Sequence, residues 1–365
     1  MHNQAGSLGG RIPSVRFDKP SVLSLVLNNI CPLNCAHCYL QPEDSPKTME
    51  PEQWLRFLKS AFVDLPPDAM CFSGKEVFAL NESAEIFFEA IKLRDEIQAG
   101  NLERSRLGVI TNGILLSKYR KQLIERQPDW FDISIDGLEQ AHDAVRGEGA
   151  FARMSGNLPW LVEMLGDRLW ITPTLMQTNV GLLPEIVKSL HARFGLKQFS
   201  AGIYKPQSYT SPTLCIADAS TESQVLGSLL RLSTIANADG IEVHLTFNHD
   251  ELRLRRRLET EGLIPTEGIL RTSKRTFENG LTLVISTISV PVGLWRAVRV
   301  TSQGQWLAAE DLNNAKEYEK RAIAKLADFD YDARRLYLAG LAHVRFREIF
   351  GMAPDRFLTE LSMAA

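Results

Sequence analysis

Ser21-Val-Leu-Ser-Leu-Val-Leu-Asn-Asn29-Ile-Cys31-Pro-Leu-Asn-Cys35-Ala-His37-Cys38-Tyr39 decides the fold, because an apolar run ends directly in three crowded cysteines. The run Ser21–Asn29 is short and closes on asparagine, as buried parallel strands do. Five comparable runs follow at Ala69–Ser73, Leu107–Thr111, Phe131–Ile135, Leu169–Met176 and Lys197–Tyr204. Helical spacing fills the gaps between them, as in Trp54, Leu58 and Phe62, or Leu183, Val187 and Leu190. Six β–α units in a row predict a parallel α/β architecture. Polar motifs end nearly every strand, whereas a doubly wound sheet gathers its site at one switch point. The expectation is a partial (β/α)6 TIM-like barrel with a small C-terminal α+β cap.

Beyond about Ser220 the alternation weakens. The pattern predicts a helix near Thr221–Ala238, a strand at Ile241–Phe247 and a charged helical stretch at Asp250–Glu261 with arginines at 253, 255, 256 and 257. A hairpin is expected from strands near Leu281–Val290 and Ala297–Leu307, with a turn at Gly304, and helix over the last fifty residues. The division read from this is a lead over 1–20, the barrel over 21–220, a helical connector over 221–280 and a hairpin with helices over 281–365.

With 44% apolar and 23% charged residues in 365, the chain can bury a full core. A net charge of −3 supplies no basic track, so neither nucleic acid nor a membrane surface is an expected partner. The polar, glycine-rich stretch Met1–Pro20 lacks the apolar segment of a secretion signal, which makes a cytoplasmic location the expectation.

Three of the five cysteines fall within eight residues. Three thiolates on a short loop can cap three irons of a cubane and leave the fourth iron open to a ligand. Zinc is the competing metal, yet tetrahedral zinc needs four ligands, and His37 lies too close between Cys35 and Cys38 to serve with both easily. Buried thiols of no consequence are the third reading. Further along, a zwitterionic cofactor would want an acceptor for its ammonium, suited to Glu76, and a donor for its carboxylate, suited to Arg146. Vicinal hydroxyls suit short polar side chains such as Ser134 and Asn179. Glycines at 74, 113 and 137 permit tight strand-to-helix turns.

The triplet, spaced three and two apart, resembles the motif of the radical S-adenosylmethionine superfamily, with His37 in the family's aromatic position and Tyr39 following. Phe72-Ser73-Gly74-Lys75-Glu76 resembles the Gly-Gly-Glu turn that meets the methionine amino group, except that Lys75 stands where the second glycine is usual. Val109-Ile-Thr-Asn112-Gly113 matches a common family segment. Ser134-Ile-Asp136-Gly137, with His142-Asp143 and Arg146-Gly147, is similar to the peptide-maturase and sugar-modifying branches. There the serine faces the ribose and the arginine can face a carboxylate. Thr174-Leu-Met176 with Asn179, and Phe199–Pro206 with Tyr204, look like the fifth and sixth strands. The resemblance spans about residues 20–210.

It implies a [4Fe-4S] cluster on Cys31, Cys35 and Cys38, with S-adenosyl-L-methionine held by His37, Tyr39, Ser73, Gly74, Glu76, Asn112, Ser134, Asp136, Arg146, Asn179 and Tyr204. It also implies an external electron donor of flavodoxin or ferredoxin type, and hydrogen-atom abstraction from a substrate C–H bond in an apolar barrel pocket. Ala297–Trp306 resembles the strand–turn–strand of the SPASM region, where relatives bind auxiliary clusters, but no cysteine follows Cys215. A redox-neutral outcome such as epimerisation, rearrangement or cyclisation is therefore expected. Cys215 is the candidate hydrogen donor, although a lone cysteine is more often a buried small hydrophobe. Cys71 reads as core, and His244 and His249 as structural or surface residues.

Only about twenty residues precede the first strand, which leaves no room for the leader-binding domain of many maturases. The expected substrate is therefore a small metabolite, a sugar or nucleoside, in natural-product biosynthesis. The alternatives are maturation of a ribosomally made peptide and a non-catalytic Fe–S sensor.

Overall fold

The structure is a computed structural model that describes residues 22–38, 48–73, 75–204, 211–216, 218–248, 252–264, 270–288, 297–308, 324–335 and 337. In chain order the main elements are β1 (Val22–Val26), α1 (Pro51–Asp64), β2 (Ala69–Ser73), α2 (Asn81–Ile97), β3 (Arg106–Thr111) and α3 (Arg120–Glu125). Next come β4 (Trp130–Ile133), α4 (Glu139–Arg146), α5 (Ala150–Ser155), α6 (Leu158–Leu165), β5 (Leu169–Ile171), β6 (Thr174–Leu175) and α7 (Leu183–Phe194). The rest are β7 (Gln198–Ile203), α8 (Asp218–Leu232), β8 (Glu242–Asn248), α9 (Leu252–Thr260), β9 (Leu270–Thr276), β10 (Thr282–Ile288), β11 (Ala297–Val300), β12 (Gln305–Ala308) and β13 (Ala324–Lys325). Among the described residues no helix is long and apolar enough to cross a membrane.

Alternation along the strands sorts side chains to two faces. Leu23, Leu25, Met70, Phe72, Phe131 and Phe199 point toward the helices and are fully buried. Each helix answers with one apolar stripe. On α1, Trp54, Phe57, Leu58, Ala61 and Phe62 are buried, and Pro51 opens the helix where its missing N–H costs nothing. The Gln53 side chain reaches back to accept from the Glu50 backbone N–H at 2.9 Å.

One sheet results, in the order β13-β12-β11-β1-β2-β3-β4-β5-β7-β8-β10-β9, with β6 pairing on β7. The six predicted strands lie side by side and parallel in sequence order, the arrangement of a partial TIM-like barrel. The strand predicted at Ile241–Phe247 continues the parallel run beyond β7.

The two strands expected to form a hairpin part company. β10 lies between β8 and β9 at one end of the sheet, while β11 pairs in parallel with β1 at the other and turns into β12. Alternation marks both segments as strands but carries no information on partners hundreds of residues away. The turn at Gly304 is where it was predicted, with φ +72°. Most of the C-terminal stretch predicted as helix lies outside the described residues.

The barrel interior also differs from expectation. An apolar lining was predicted, yet the inward positions of β4, β5, β7 and β8 are Asp132, Trp170, Ser200 and His244, all partly exposed. Their outward neighbours take the apolar packing, so the inward face is left to polar residues.

Candidate functional site

The C-terminal ends of the strands form a polar rim around the cysteine loop. Asn28 opens that loop: its side-chain N–H donates to Glu76 O and Ser83 Oγ, both at 2.8 Å, and its Oδ1 accepts from Ile30 N at 2.8 Å. One asparagine thus joins β1, the turn after β2 and α2. Ala36 N donates to Val145 O at 2.9 Å, and Cys38 N to Cys35 O at 3.1 Å, which docks the loop on α4 and folds it into a turn. From the other side, the Ser302 hydroxyl bonds Asn29 Oδ1 at 2.7 Å, and Met49 N donates to Ser302 O at 2.8 Å. The β11–β12 turn therefore grips the segments either side of the three cysteines.

All three thiols are half-buried and unbridged. Two donors already aim at Cys31 Sγ, Leu33 N at 3.4 Å and Asn112 Nδ2 at 3.6 Å. Burial pushes the Cys31 thiol up and the Cys35 thiol up to about 11, the latter opposed by the charge of Arg146. The bare Cys31 and Cys35 thiols stay protonated, so bound iron is what would draw out their thiolates. Among the described residues no three His, Cys, Asp or Glu side chains close on a single point as a lone ion needs. Thiolates spread along one loop suit a cluster that takes one from each of three irons. His37 Nδ1 is buried without a hydrogen-bond partner, an orphan facing the same loop.

Asp136 is the hub of the rim. It is fully buried, and its Oδ2 accepts from Arg146 Nε at 2.6 Å and its Oδ1 from Thr174 N at 2.9 Å. Burial alone would raise its pKa, but the charges of Arg146 and His37 outweigh burial and hold the carboxyl below its ordinary range. Arg146 Nη2 lies 3.4 Å from His37 Nε2, so the pair carries its order into the cysteine loop. His142, pushed down to about 4 by burial and by Arg146, remains neutral and accepts the Asp136 backbone N–H through Nδ1 at 3.3 Å.

Several residues predicted to touch a cofactor are engaged within the chain. Glu76 is buried; its Oε1 accepts from Phe78 N and Thr111 Oγ1, and its Oε2 from Asn112 N. Burial raises its pKa against those three donors. Asn179 donates to Asp136 O and Thr174 O and accepts from Met176 N. Ser73 Oγ pairs with Ser24 Oγ at 2.8 Å. These side chains staple strand ends to one another. Ser134 differs: it is half-buried, and among the described residues its hydroxyl has no partner.

Tyr204 sits edge-on to His37, with ring centroids 6.5 Å apart, and shares a small apolar cluster with Val145 and Met176. Cys215 packs against that cluster, half-buried, so the fold brings it to the rim. Gly113 takes φ +78° as its turn requires, and a Cβ on Gly137 would meet that of Ala141 at 2.6 Å. Tyr39, Gly74 and His249 lie outside the described residues. Asn28, Thr111 and Ser302 were not singled out from sequence. An asparagine between strand and cysteines was the one available signal; Ser302 left none.

Residues 25–188 match the family model described as the radical SAM superfamily. The antilisterial bacteriocin subtilosin biosynthesis protein AlbA of Bacillus subtilis (strain 168) is 29% identical over 193 residues, which cover 51% of this chain and 40% of AlbA. Streptococcus suis SuiB bound to S-adenosylmethionine superposes with a TM-score of 0.58 at 13% identity, over 80% of this chain and 60% of SuiB. Native anSMEcpe with bound AdoMet gives a TM-score of 0.58 at 14% identity, over 90% of this chain and 88% of that one. This chain therefore spans 40% of the length of AlbA and 60% of that of SuiB. Identities of 13–14% establish a shared fold and nothing finer. The family match covers the strands whose ends carry the rim, so residues 25–188 form a segment similar to the radical S-adenosylmethionine superfamily.

Proposed function

We propose that this chain is a radical SAM enzyme that modifies a peptide, with Cys31, Cys35 and Cys38 each holding one iron of a [4Fe-4S] cluster. When bound, cluster and S-adenosylmethionine together supply reductive sulfonium cleavage and a 5′-deoxyadenosyl radical able to take hydrogen from an unactivated C–H bond. The observation that carries the reading is the thiol triplet on a loop docked at the strand ends, with Asn112 aimed at Cys31 and Arg146 charged beside Cys35.

The chain's own groups do the positioning. Leu33 N–H and Asn112 favour thiolate at Cys31 by donating to its sulfur. Asp136 fixes Arg146, which keeps a positive charge beside Cys35. The Ser134 hydroxyl, open on the rim, suits a ribose hydroxyl. Asn179 and Glu76 also keep the surrounding strand ends in register.

A peptide substrate replaces the small metabolite that the sequence alone favoured. AlbA takes part in the biosynthesis of a bacteriocin, and SuiB has been crystallised bound to its precursor peptide SuiA. Epimerisation or cross-linking of a peptide is the outcome this reading favours, with a flavodoxin- or ferredoxin-type donor supplying the electron. The test is anaerobic. Protein reconstituted with iron and sulfide, given a low-potential reductant and S-adenosylmethionine, should form 5′-deoxyadenosine, and the Cys31→Ala/Cys35→Ala/Cys38→Ala variant should form none. A cluster-loaded protein that binds the cofactor and yields no product, even with cell extract as substrate source, would leave the non-catalytic sensor in possession.

A further inference from the structure

Below the rim the sheet has two unlike faces. Toward the helices, Val109, Phe131, Ile133, Ile171, Phe199 and Val243 are fully buried. The alternate positions Ile110, Asp132, Trp170, Ser200 and His244 all keep partial exposure. Register sets them side by side: Ile110 opposite Asp132, Asp132 opposite Trp170, and Ser200 opposite His244. A barrel packed solid with side chains would bury these positions. Here these inward side chains stay partly open to solvent, and Asp132 stands two residues before Ser134, about 7 Å further in along the strand.

Indoles flank Asp132 on this inward face. Trp130 crosses onto the neighbouring strand so closely that a Cβ on Gly108 would fall 1.9 Å from its ring. Trp170 lies beside Asp132 in register and meets His244 edge-on, with centroids 4.8 Å apart.

Two carboxyl groups enter this space, and only one is compensated. Glu242 accepts from His244 Nε2 and, at 3.1 Å, from Lys274 Nζ. Asp132 accepts from the Trp130 side chain, and among the described residues no cation pairs with it. The strands on either side offer Ile110 and Trp170 at its register, neither of them charged. Burial accordingly pushes the Asp132 carboxyl up to about 7. An unpaired carboxylate is costly to shelter from water, and a ligand cation would remove that cost. Arg106 on β3 already lies over the Trp130 ring, 5.5 Å from its centroid, which shows that this indole takes a cation, and the Trp170 indole beside Asp132 favours the same kind of ligand.

The geometry points to Asp132, with Trp130 and Trp170, as the subsite that receives a cationic nitrogen of the substrate, a primary ammonium or a guanidinium. The assignment rests on the reading of this chain as a radical SAM enzyme whose substrate enters the barrel. For a peptide substrate the group is a lysine or arginine side chain, and its seat at Asp132 sets the depth to which the neighbouring residues descend.

N-acetyl-lysine methylamide and its neutral counterpart N-acetyl-norleucine methylamide test it, titrated into the full chain at constant ionic strength and followed by tryptophan fluorescence. The lysine probe should bind about tenfold more tightly at pH 8. That preference should shrink at pH 5 as the carboxyl takes up a proton. Asp132→Asn, which keeps the volume and the Trp130 hydrogen bond, should abolish the preference, and Trp170→Leu should reduce it. Equal binding of the two probes, binding of neither, or an unchanged preference in Asp132→Asn overturns the assignment. Measuring 5′-deoxyadenosine on the same preparations separates the two claims. A protein that cleaves S-adenosylmethionine but ignores the charge of the probe sinks this subsite alone. One that prefers the lysine probe and, cluster-loaded and supplied with cell extract, cleaves nothing upholds the subsite's chemistry and sinks the radical reading.

Discussion

Asp132 and Asp136 stand four residues apart at the end of β4, one in the barrel interior and the other on the rim, and burial acts on them with opposite results. The rim carboxyl is held below its ordinary range by Arg146 and His37, whereas the interior carboxyl is pushed up to about 7 with only an indole for company. Desolvation is the largest influence on both, so the outcome is decided by whether a cation lies within reach. On the rim the acids, amides and arginine satisfy one another and hold the cysteine loop in place. The interior is unfinished, and its open carboxyl marks where a ligand has something to contribute.

The sharpest way to break that contrast is Asp136→Ala. It strands Arg146 in a buried site and should cost about 3–5 kcal/mol in urea unfolding. A loss below about 1 kcal/mol would mean that the rim charges are not a closed pair. The intact Asp136, with its lowered pKa, contributes stability above the ordinary carboxylate range, and that contribution drains away as pH falls through its folded-state value.

Gly108→Ala probes the interior wall. The added methyl overlaps the Trp130 ring and should destabilise by about 1–3 kcal/mol, with a changed near-ultraviolet circular dichroism spectrum as the indole moves. An unchanged spectrum would place Trp130 elsewhere than against β3.

Asp132→Asn should act in the opposite direction to Asp136→Ala. With the folded pKa near 7 and the unfolded one near 4, the unfolded state gives up its proton first. Wild-type stability should therefore fall as pH rises through that window and level off above it. The asparagine variant should escape this loss and be about 1–2 kcal/mol more stable than wild type at pH 8, with no advantage at pH 4, after allowing for solvent screening at a partly exposed site. Parallel profiles for the two proteins would remove the contrast between rim and interior.

The smallest expected effect lies at the C-terminal hairpin. Ser302→Ala deletes the bond to Asn29 and should cost about 1 kcal/mol. Iron retained after reconstitution and gel filtration should fall as the cysteine loop loosens, and Ser302→Thr, which restores a hydroxyl, should recover part of it. Full iron retention in Ser302→Ala would show that the hairpin merely abuts the loop.

Much of the rim was legible because its signals are local. Three cysteines in eight residues, Ser134 and Asp136 just past β4, and Arg146 ten residues on are all fixed by short stretches of chain. Their individual duties were less legible. Glu76 and Asn179 are apt for a cofactor by residue type, yet each spends its polar atoms on neighbouring strand ends, which only the assembled sheet brings within reach.

By itself the sequence determined the first six strands, their parallel succession, the turns that end them and the thiol loop after the first. Each of these follows from period, spacing and backbone preference over a few residues. Tertiary structure alone decided that β11 joins β1 while β10 joins β8, that Ser302 reaches Asn29 across 273 positions of chain, and that among the described residues no cation pairs with Asp132. Partner choice and charge compensation are properties of what packs against a residue, which period and spacing along the chain do not specify.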